Sequence, residues 1–484
     1  MKKLFILAIV IAAWGLSATA QKPNVVYILT DQWRAEAFGY AGDVNVKTPR
    51  LDKFASEAVN FKNAVSACPV CTPHRASLLT GKFPTSTGMF LNDLHLPDDE
   101  LCMAEIFKAA GYSTAYLGKW HLDGHGRFNN VAPERRQGFD YWKALECSHD
   151  YNHMAYYEND DPEIKYWDGY SPFALSEEAQ KYVSRHAGDD DPFLLFVSIA
   201  APHFPHATAP EEYKALYPED EIVTDSNVPD ELVAKVRKEL NGYYAHCSAV
   251  DDAVGDLLDK MKALGLMENT IVVFSSDHGE MMGSHGARPK SKQVAWDESV
   301  HVPFLIKTPF NADGGAIVNA PITTPDILAT LLGLADVDIP ETVEGEDLSW
   351  LVKSPDPEYD RAALFMNVCP FGNEYHYDEY RGIRTKQYTY VCSPDGAMML
   401  FDDIVDPEQL NNLADQKEFA RVQKSLNKKL KAQLKKIGDK NFKHRDYYLD
   451  KWNLKLNGGK VIDYSGFTKG EGVVQTPQLS KNGK

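Results

Sequence analysis

Four short apolar runs constrain this chain more than anything else in it. "NVVYILT" (24–30) ends at Asp31-Gln32, and "STAYLG" (113–118) ends at Lys119-Trp120-His121. "PFLLFVSIA" (192–200) is followed closely by His203, and "TIVVFSS" (270–276) ends at Asp277-His278. Runs that are apolar at every position, not at alternate ones, fit strands buried on both faces, as in a parallel sheet. Helical patterns lie between them: "AEIFKAAG" (104–111), the long amphipathic stretch 241–265 and "TTPDILATLLGLA" (323–335). The expected fold is therefore α/β, a large, mostly parallel sheet sandwiched by helices. In open sheets of this kind ligands bind beyond the carboxyl ends of the strands. All four runs deliver a carboxylate, an ammonium or an imidazole there.

After about residue 350 the texture changes. "SPDPEYD" (354–360) reads as a linker, "RGIRTKQYTYVCS" and "AMMLFDD" alternate like antiparallel strands, and 417–436 reads as a basic amphipathic helix. The expected division is a leader over 1–20, a larger unit over 21–353 and a smaller α+β subdomain over 354–484. The tail from 455 onward reads as peripheral.

The first twenty residues have the form of an export signal. Lys2 and Lys3 precede the apolar "LFILAIVIAAWGL", and "ATA" at 18–20 supplies small residues for cleavage after Ala20. A periplasmic or secreted protein is expected, without a membrane anchor, because no later apolar run reaches spanning length. Loss of the two leader lysines takes the formal charge from −18 to −20. Such an acidic surface argues against nucleic acid as a partner and repels long polyanions. Seven cysteines are few and odd in number for an exported disulfide scaffold.

One of them stands in "ACPVCTPHRASLLTGKFP" (67–84). Cys71 could be a redox thiol, a metal ligand, a nucleophile or a core residue. Pro73 fits the first turn of a helix that continues through "ASLLTG". Cys71 then lies just before a helix N-terminus, where free N–H groups and the dipole favour an anion and a lowered thiol pKa. Arg75 lies about one turn further, able to present a bidentate fork to an oxyanion. A redox reading of the C-x-x-C wants a thioredoxin-like surround, and a zinc reading wants a second Cys or His pair. Neither is visible. Asp31, Gln32, Asp277 and His278, gathered from two strand ends, form an oxygen-rich set suited to a hard divalent cation such as Ca²⁺. Lys119 and His121 are two apart, so both can face one side.

"CTPHRASLLTG" resembles the motif of the formylglycine-dependent sulfatases, members of the alkaline phosphatase superfamily. The resemblance runs from about residue 22 to 415. It includes "NVVYILTDQ", "GYSTAYLGKWHLDG", "APHFPHATAPEEY", "SSDHGEMMGSHG", "KQVAWDESVHVPFLI" and "RGIRTKQYTYV". It implies an alkaline phosphatase-like sheet and oxidation of Cys71 to formylglycine (3-oxoalanine) by a dedicated maturase. His74 departs from the family's usual Ser and is expected to alter the pocket wall. By the same resemblance Asp31, Gln32, Asp277, His278 and the Cys71 side chain hold one Ca²⁺, with Gln32 replacing a common Asp. Arg75, Lys119, His121, His203 and Lys292 match catalytic positions. His206, His285 and His301 match none and read as structural. The implied chemistry is hydrolysis of a sulfate ester by a formylglycine gem-diol. Arg75, Lys119 and Lys292 would neutralise the sulfate oxygens, His203 would protonate the leaving alcohol, and His121 would take a proton from the diol.

A sulfated saccharide is the expected substrate, with Tyr-, His- and Asn-rich segments at 145–160 and 367–381 available for sugar contacts. The acidic exterior around a basic pocket suggests exo-action on short chains or chain ends. A phosphomonoesterase or phosphodiesterase of the same superfamily is the runner-up, and "CTPHR" speaks against it. A non-catalytic glycan-binding relative would have lost charged site residues, and none is missing.

Overall fold

The computed structural model describes residues 21–310, 314–440, 442–456 and 474–480. The leader and most of the tail after 455 lie outside the described residues.

Ten strands form one sheet. Its centre is parallel: Thr270–Ser276, Asn24–Asp31, Phe193–Pro202, Ser113–Lys119 and Tyr141–Leu145 lie side by side in that order. Antiparallel neighbours, Phe304–Lys307 on one side and Ala155–Glu158 on the other, extend it. The period of two along the first strand sorts its side chains between two cores. Val25, Tyr27 and Leu29 enter one with Leu78, Leu79, Leu328 and Leu331. Val26 and Ile28 enter the other with Leu175, Val183, Val250 and Leu257. The helices Cys71–Thr80 and Thr324–Leu334 thus cover one face, and Ser171–His186 and Val233–Ala263 the other. Each fully buried Val, Leu or Ile contributes about 1.5–3 kcal/mol over its exposed state, so both faces are strongly specified.

Two boundaries differ from the sequence reading. The long helix begins at Val233, eight residues before the expected start at 241. Its first turns bury only Val236 and Leu240 among charged neighbours, too sparse an apolar stripe to read from sequence. Cys71 is the first residue of its helix and not the residue before it, with Val70 at the N-cap.

The strands Ala363–Asn367, Tyr380–Arg384, Tyr388–Ser393 and Gly396–Asp402 form a second, wholly antiparallel sheet. Leu364, Met366, Ile383, Tyr390 and Leu400 join the same core as Val25 and Leu78. The helix Ala420–Lys436 adds Leu426, Leu430 and Leu434 at four-residue spacing. No described helix is long and apolar enough to cross a membrane.

Candidate active site

Two of the central strands end on site residues, Asp31 and Lys119, and two more end immediately before Asp277 and His203. A register shift between Thr30 and Asp31, where the first strand pairs with Phe193–Pro202, interrupts the ladder at its last residue. Asp31 leaves the sheet fully buried, its Oδ2 accepting 2.6 Å from Lys119 Nζ and 3.2 Å from Arg75 Nη2. Arg75 Nη2 also donates to Asp277 Oδ2 at 3.1 Å, while Nη1 donates to Lys119 O at 3.0 Å and Ser198 Oγ at 2.7 Å. The Arg75 fork is therefore committed to tying the two carboxylates to the sheet. The sequence expectation aimed it at an oxyanion; here its geometry serves the frame.

The Cys71 thiol sits at the centre, 1% exposed. Its Sγ lies 3.3 Å from His278 Nε2, 3.4 Å from Lys292 Nζ and 3.8 Å from Asp31 Oδ1. Burial and Asp31 oppose ionisation, but Lys119, Lys292 and His278 outweigh them and hold the thiol well below its ordinary range. Lys292 arrives from a loop. Its Nζ reaches Gln32 Oε1 at 3.0 Å, His278 Nε2 at 3.2 Å and His203 Nε2 at 3.3 Å. Gln293, next to it, adopts φ 78°. The antiparallel sheet clamps that loop: Asn367 Nδ2 donates to Gln293 O at 2.9 Å, and Phe371 N donates to Gln293 Oε1 at 3.1 Å.

Ligand atoms of Asp31, Cys71, Asp277 and His278 all lie within 4.8 Å of one another. Two features fit a divalent cation there. His278 Nδ1 is 2.9 Å from the Gly279 carbonyl, to which it donates, so Nε2 can turn a bare lone pair toward the carboxylates. Burial, and then the charge of Asp31, push the Asp277 carboxyl up to about 6, a strain that a cation between them relieves. Gln32 occupies a positive φ of 65°. Its amide nitrogen donates to the fully buried Glu280 carboxylate, which fixes the amide so that Oε1 faces the site.

His121 lies on the other flank of Cys71, also at positive φ, 61°. Its Nε2 meets Asp93 Oδ1 at 3.2 Å, and Arg127 grips the same carboxylate at 2.9 and 3.0 Å. Burial opposes a charge on His121, but Cys147, Asp93 and the Cys71 sulfur push it up to about 10. His203 Nδ1 donates to Phe204 O at 2.7 Å, leaving Nε2 for Lys292.

All the site residues expected from sequence therefore converge. His206, His285 and His301 do not join them: they bind Glu239, stack on Trp296 and bind Glu36, respectively. His74 turns its Nδ1 to Ser66 Oγ at 2.9 Å and Thr324 Oγ1 at 3.3 Å, into the packing behind the helix. Sequence reasoning did not single out Asp93, Arg127, His149 or Glu280. Glu280 lies two residues after His278 in a quoted block, and His149 lies in the 145–160 segment expected to contact sugar, whereas Asp93 and Arg127 carried no local signal. The seven cysteines are all unpaired.

Residues 23–337 match the family described as Sulfatase, and residues 283–436 match the one described as N-sulphoglucosamine sulphohydrolase, C-terminal. The chain is 62% identical over 458 residues to an ulvan-active sulfatase of Formosa agariphila, covering 94% of this chain and 89% of that one. It is 31% identical over 484 residues to an endo-4-O-sulfatase of Bacteroides thetaiotaomicron, covering 87% and 93%. The crystal structure of YidJ from Bacteroides fragilis superposes with a TM-score of 0.78 at 31% identity, over 88% of this chain and 98% of that one. With the large parallel-centred sheet, the smaller antiparallel sheet and the Cys71 cluster in place, the chain belongs to the sulfatase family, hydrolases of sulfuric esters.

Proposed function

We propose that this sulfatase is exported and removes sulfate from a saccharide, with Cys71 oxidised to formylglycine and one Ca²⁺ held by Asp31, Asp277, His278, Gln32 and the residue-71 side chain. The observation that carries the reading is the position of Cys71 Sγ. It is buried at a helix N-terminus, 3.4 Å from Lys292 Nζ and flanked by Lys119, His121 and the carboxylate pair. The ulvan activity named for the 62%-identical relative supports a sulfated saccharide as substrate. The apolar leader with its small-residue cleavage site supports export.

Formylglycine would supply a hydrated-aldehyde oxygen as the nucleophile for sulfur, and the cation would offset charge on the sulfate oxygens. The chain's own groups do the rest. Lys119 and Lys292 converge on the space beside Cys71 and bind the non-bridging oxygens; Arg75 holds the carboxylates that would otherwise repel them. As the S–O bond to the sugar breaks, its electron pair stays on the sugar oxygen. That oxygen takes the proton that Lys292 shares with His203 Nε2 across 3.3 Å. His121 accepts a proton on the residue-71 side. Oxidation of Cys71 removes one of the groups that hold His121 charged, while Cys147 and Asp93 remain. Asp93 keeps its ring in place.

A phosphate-ester hydrolase on the same fold would not need the Cys71-Thr72-Pro73-His74-Arg75 stretch that a formylglycine maturase reads. Two measurements test the proposal together. Peptide mass spectrometry of the 67–82 region should show the aldehyde in protein made with a maturase. Rates on a panel of monosulfated saccharides, ulvan fragments first, should exceed those on the matching phosphate esters. A fully active protein with an intact thiol would sink the mechanism.

A further inference from the structure

His149 lies four residues beyond the Tyr141–Leu145 strand, at the edge of the site and half-buried. Its ring lies flat on that of His203, with centroids 3.9 Å apart and planes 12° from parallel. Its Nε2 is 3.4 Å from Lys119 Nζ. A lysine ammonium can only donate, so this contact requires a bare Nε2. The ring is then neutral with its proton on Nδ1. Burial and the charge of Lys119 act in the same direction, holding His149 well below the ordinary histidine range. Nδ1 has no hydrogen-bond partner among the described residues and is not among the buried unpaired atoms. The result is an N–H donor without a partner among the described residues, one ring thickness from the histidine assigned to the leaving oxygen.

We propose that His149 is a specificity residue, donating its Nδ1–H to a sugar hydroxyl on the carbon next to the one that bears the scissile sulfate. The inference rests on the saccharide-sulfatase reading above. An oxygen bonded to the carbon beside the leaving group is the nearest acceptor a sugar can present to a donor stacked on His203. An aryl sulfate offers no oxygen there. The parallel stack adds a second effect, since it limits the tilt of His203 over the leaving oxygen. That effect acts on any substrate.

Two replacements separate the donor from the stack. His149→Phe keeps a flat ring and removes both nitrogens. His149→Asn places an amide N–H near the former Nδ1 and removes the ring. Rates are compared on sulfated oligosaccharides released from ulvan and on 4-nitrophenyl sulfate, with thermal melting to confirm folding. In kcat/KM, His149→Phe should lose about tenfold more on the oligosaccharides than on 4-nitrophenyl sulfate, the scale of one lost hydrogen bond. His149→Asn should recover part of that excess. Equal losses on both substrates, or no recovery by Asn, would overturn the assignment and leave His149 a support for Lys119 and His203 alone. A wild-type protein inactive on both probes would instead strike at the sulfatase reading, and the His149 role would fall with it.

Discussion

His121 Nε2 and Asp93 Oδ1 meet at 3.2 Å, and both residues hold left-handed backbone, at φ 61° and 58°. Neither is a glycine, so each conformation costs energy that the surrounding contacts must supply. Arg127 closes the arrangement from the far side of Asp93. Burial opposes ionisation of Asp93, yet His121 and Arg127 hold its carboxyl well below the usual range. The pair is thus an oriented imidazole with a fixed counter-charge, aimed at Cys71.

Asp93→Asn removes that charge while keeping shape. Turnover should fall by about a hundredfold, on the scale of a misaligned acid–base group, with KM little changed. The pH profile should shift as well. A His121 no longer held up at about 10 loses its proton at lower pH, so the basic form appears earlier. A larger effect on KM than on kcat would argue against the orienting role.

Glu239 links two catalytic loops. From the long helix it accepts from His206 Nδ1 at 2.9 Å and from Lys290 Nζ at 2.9 Å. His206 lies three residues after His203, and Lys290 two before Lys292. The His206 hydrogen bond, against the opposing pull of burial, and then Lys290 lower the carboxyl to about 2. A depressed carboxyl stabilises the fold above its unfolded value near 4.5, and the contribution disappears as pH falls through the folded value. The gap in melting temperature between wild type and Glu239→Gln should therefore be full at pH 7 and narrow steadily below pH 4.5. A gap independent of pH would show that charge is not the cause.

Chelation should abolish turnover, and Ca²⁺ should restore it better than Zn²⁺, because the donors are mostly oxygens. Asp31→Ala and Asp277→Ala should be the most damaging ligand changes, since each takes one of the two carboxylates from the buried Arg75 and Asp31→Ala also takes the carboxylate from Lys119. Gln32→Ala should be milder, as it removes a neutral group. Best recovery with zinc would overturn the ligand assignment.

Chain-end action is the expected mode. Without residues 1–20 the chain would carry −20, while Lys119 and Lys292 sit beside Cys71, which is 1% exposed. A long polymer brings many sulfates to the acidic exterior, and a short fragment brings few. Rates on sulfated di- and trisaccharides should exceed those on intact polymer, with the difference shrinking as salt rises. The name of the 31%-identical relative specifies endo-action, so release from mid-chain positions is the decisive alternative readout.

Much of this molecule could be read along the chain. Strand interiors such as Val25–Leu29 are apolar at every position because both faces are covered, and that pattern is local. The polar residues at their carboxyl ends are local too, as is the helix through Pro73 that closes at Gly81, although it starts at Cys71, one residue earlier than the sequence suggests. The motifs around Cys71, Lys119, His203 and Asp277 therefore mark out residues that folding brings together.

What only the tertiary structure decided is how those groups are held. Asp93 and His121 are 28 residues apart, and Gln32 and Glu280 are 248 apart. No periodicity links either pair. Arg75 looked free to bind an anion until folding brought Asp31 and Asp277 within 3.2 Å of one guanidinium nitrogen. The antiparallel sheet read as a separate smaller unit, yet Asn367 and Phe371 fasten the loop that delivers Lys292. His149 gains its meaning only from the ring stacked on it. The physical reason is the same in each case. Local sequence determines backbone preference and which faces are buried, whereas the orientation and charge state of a buried polar group depend on partners that only chain folding supplies.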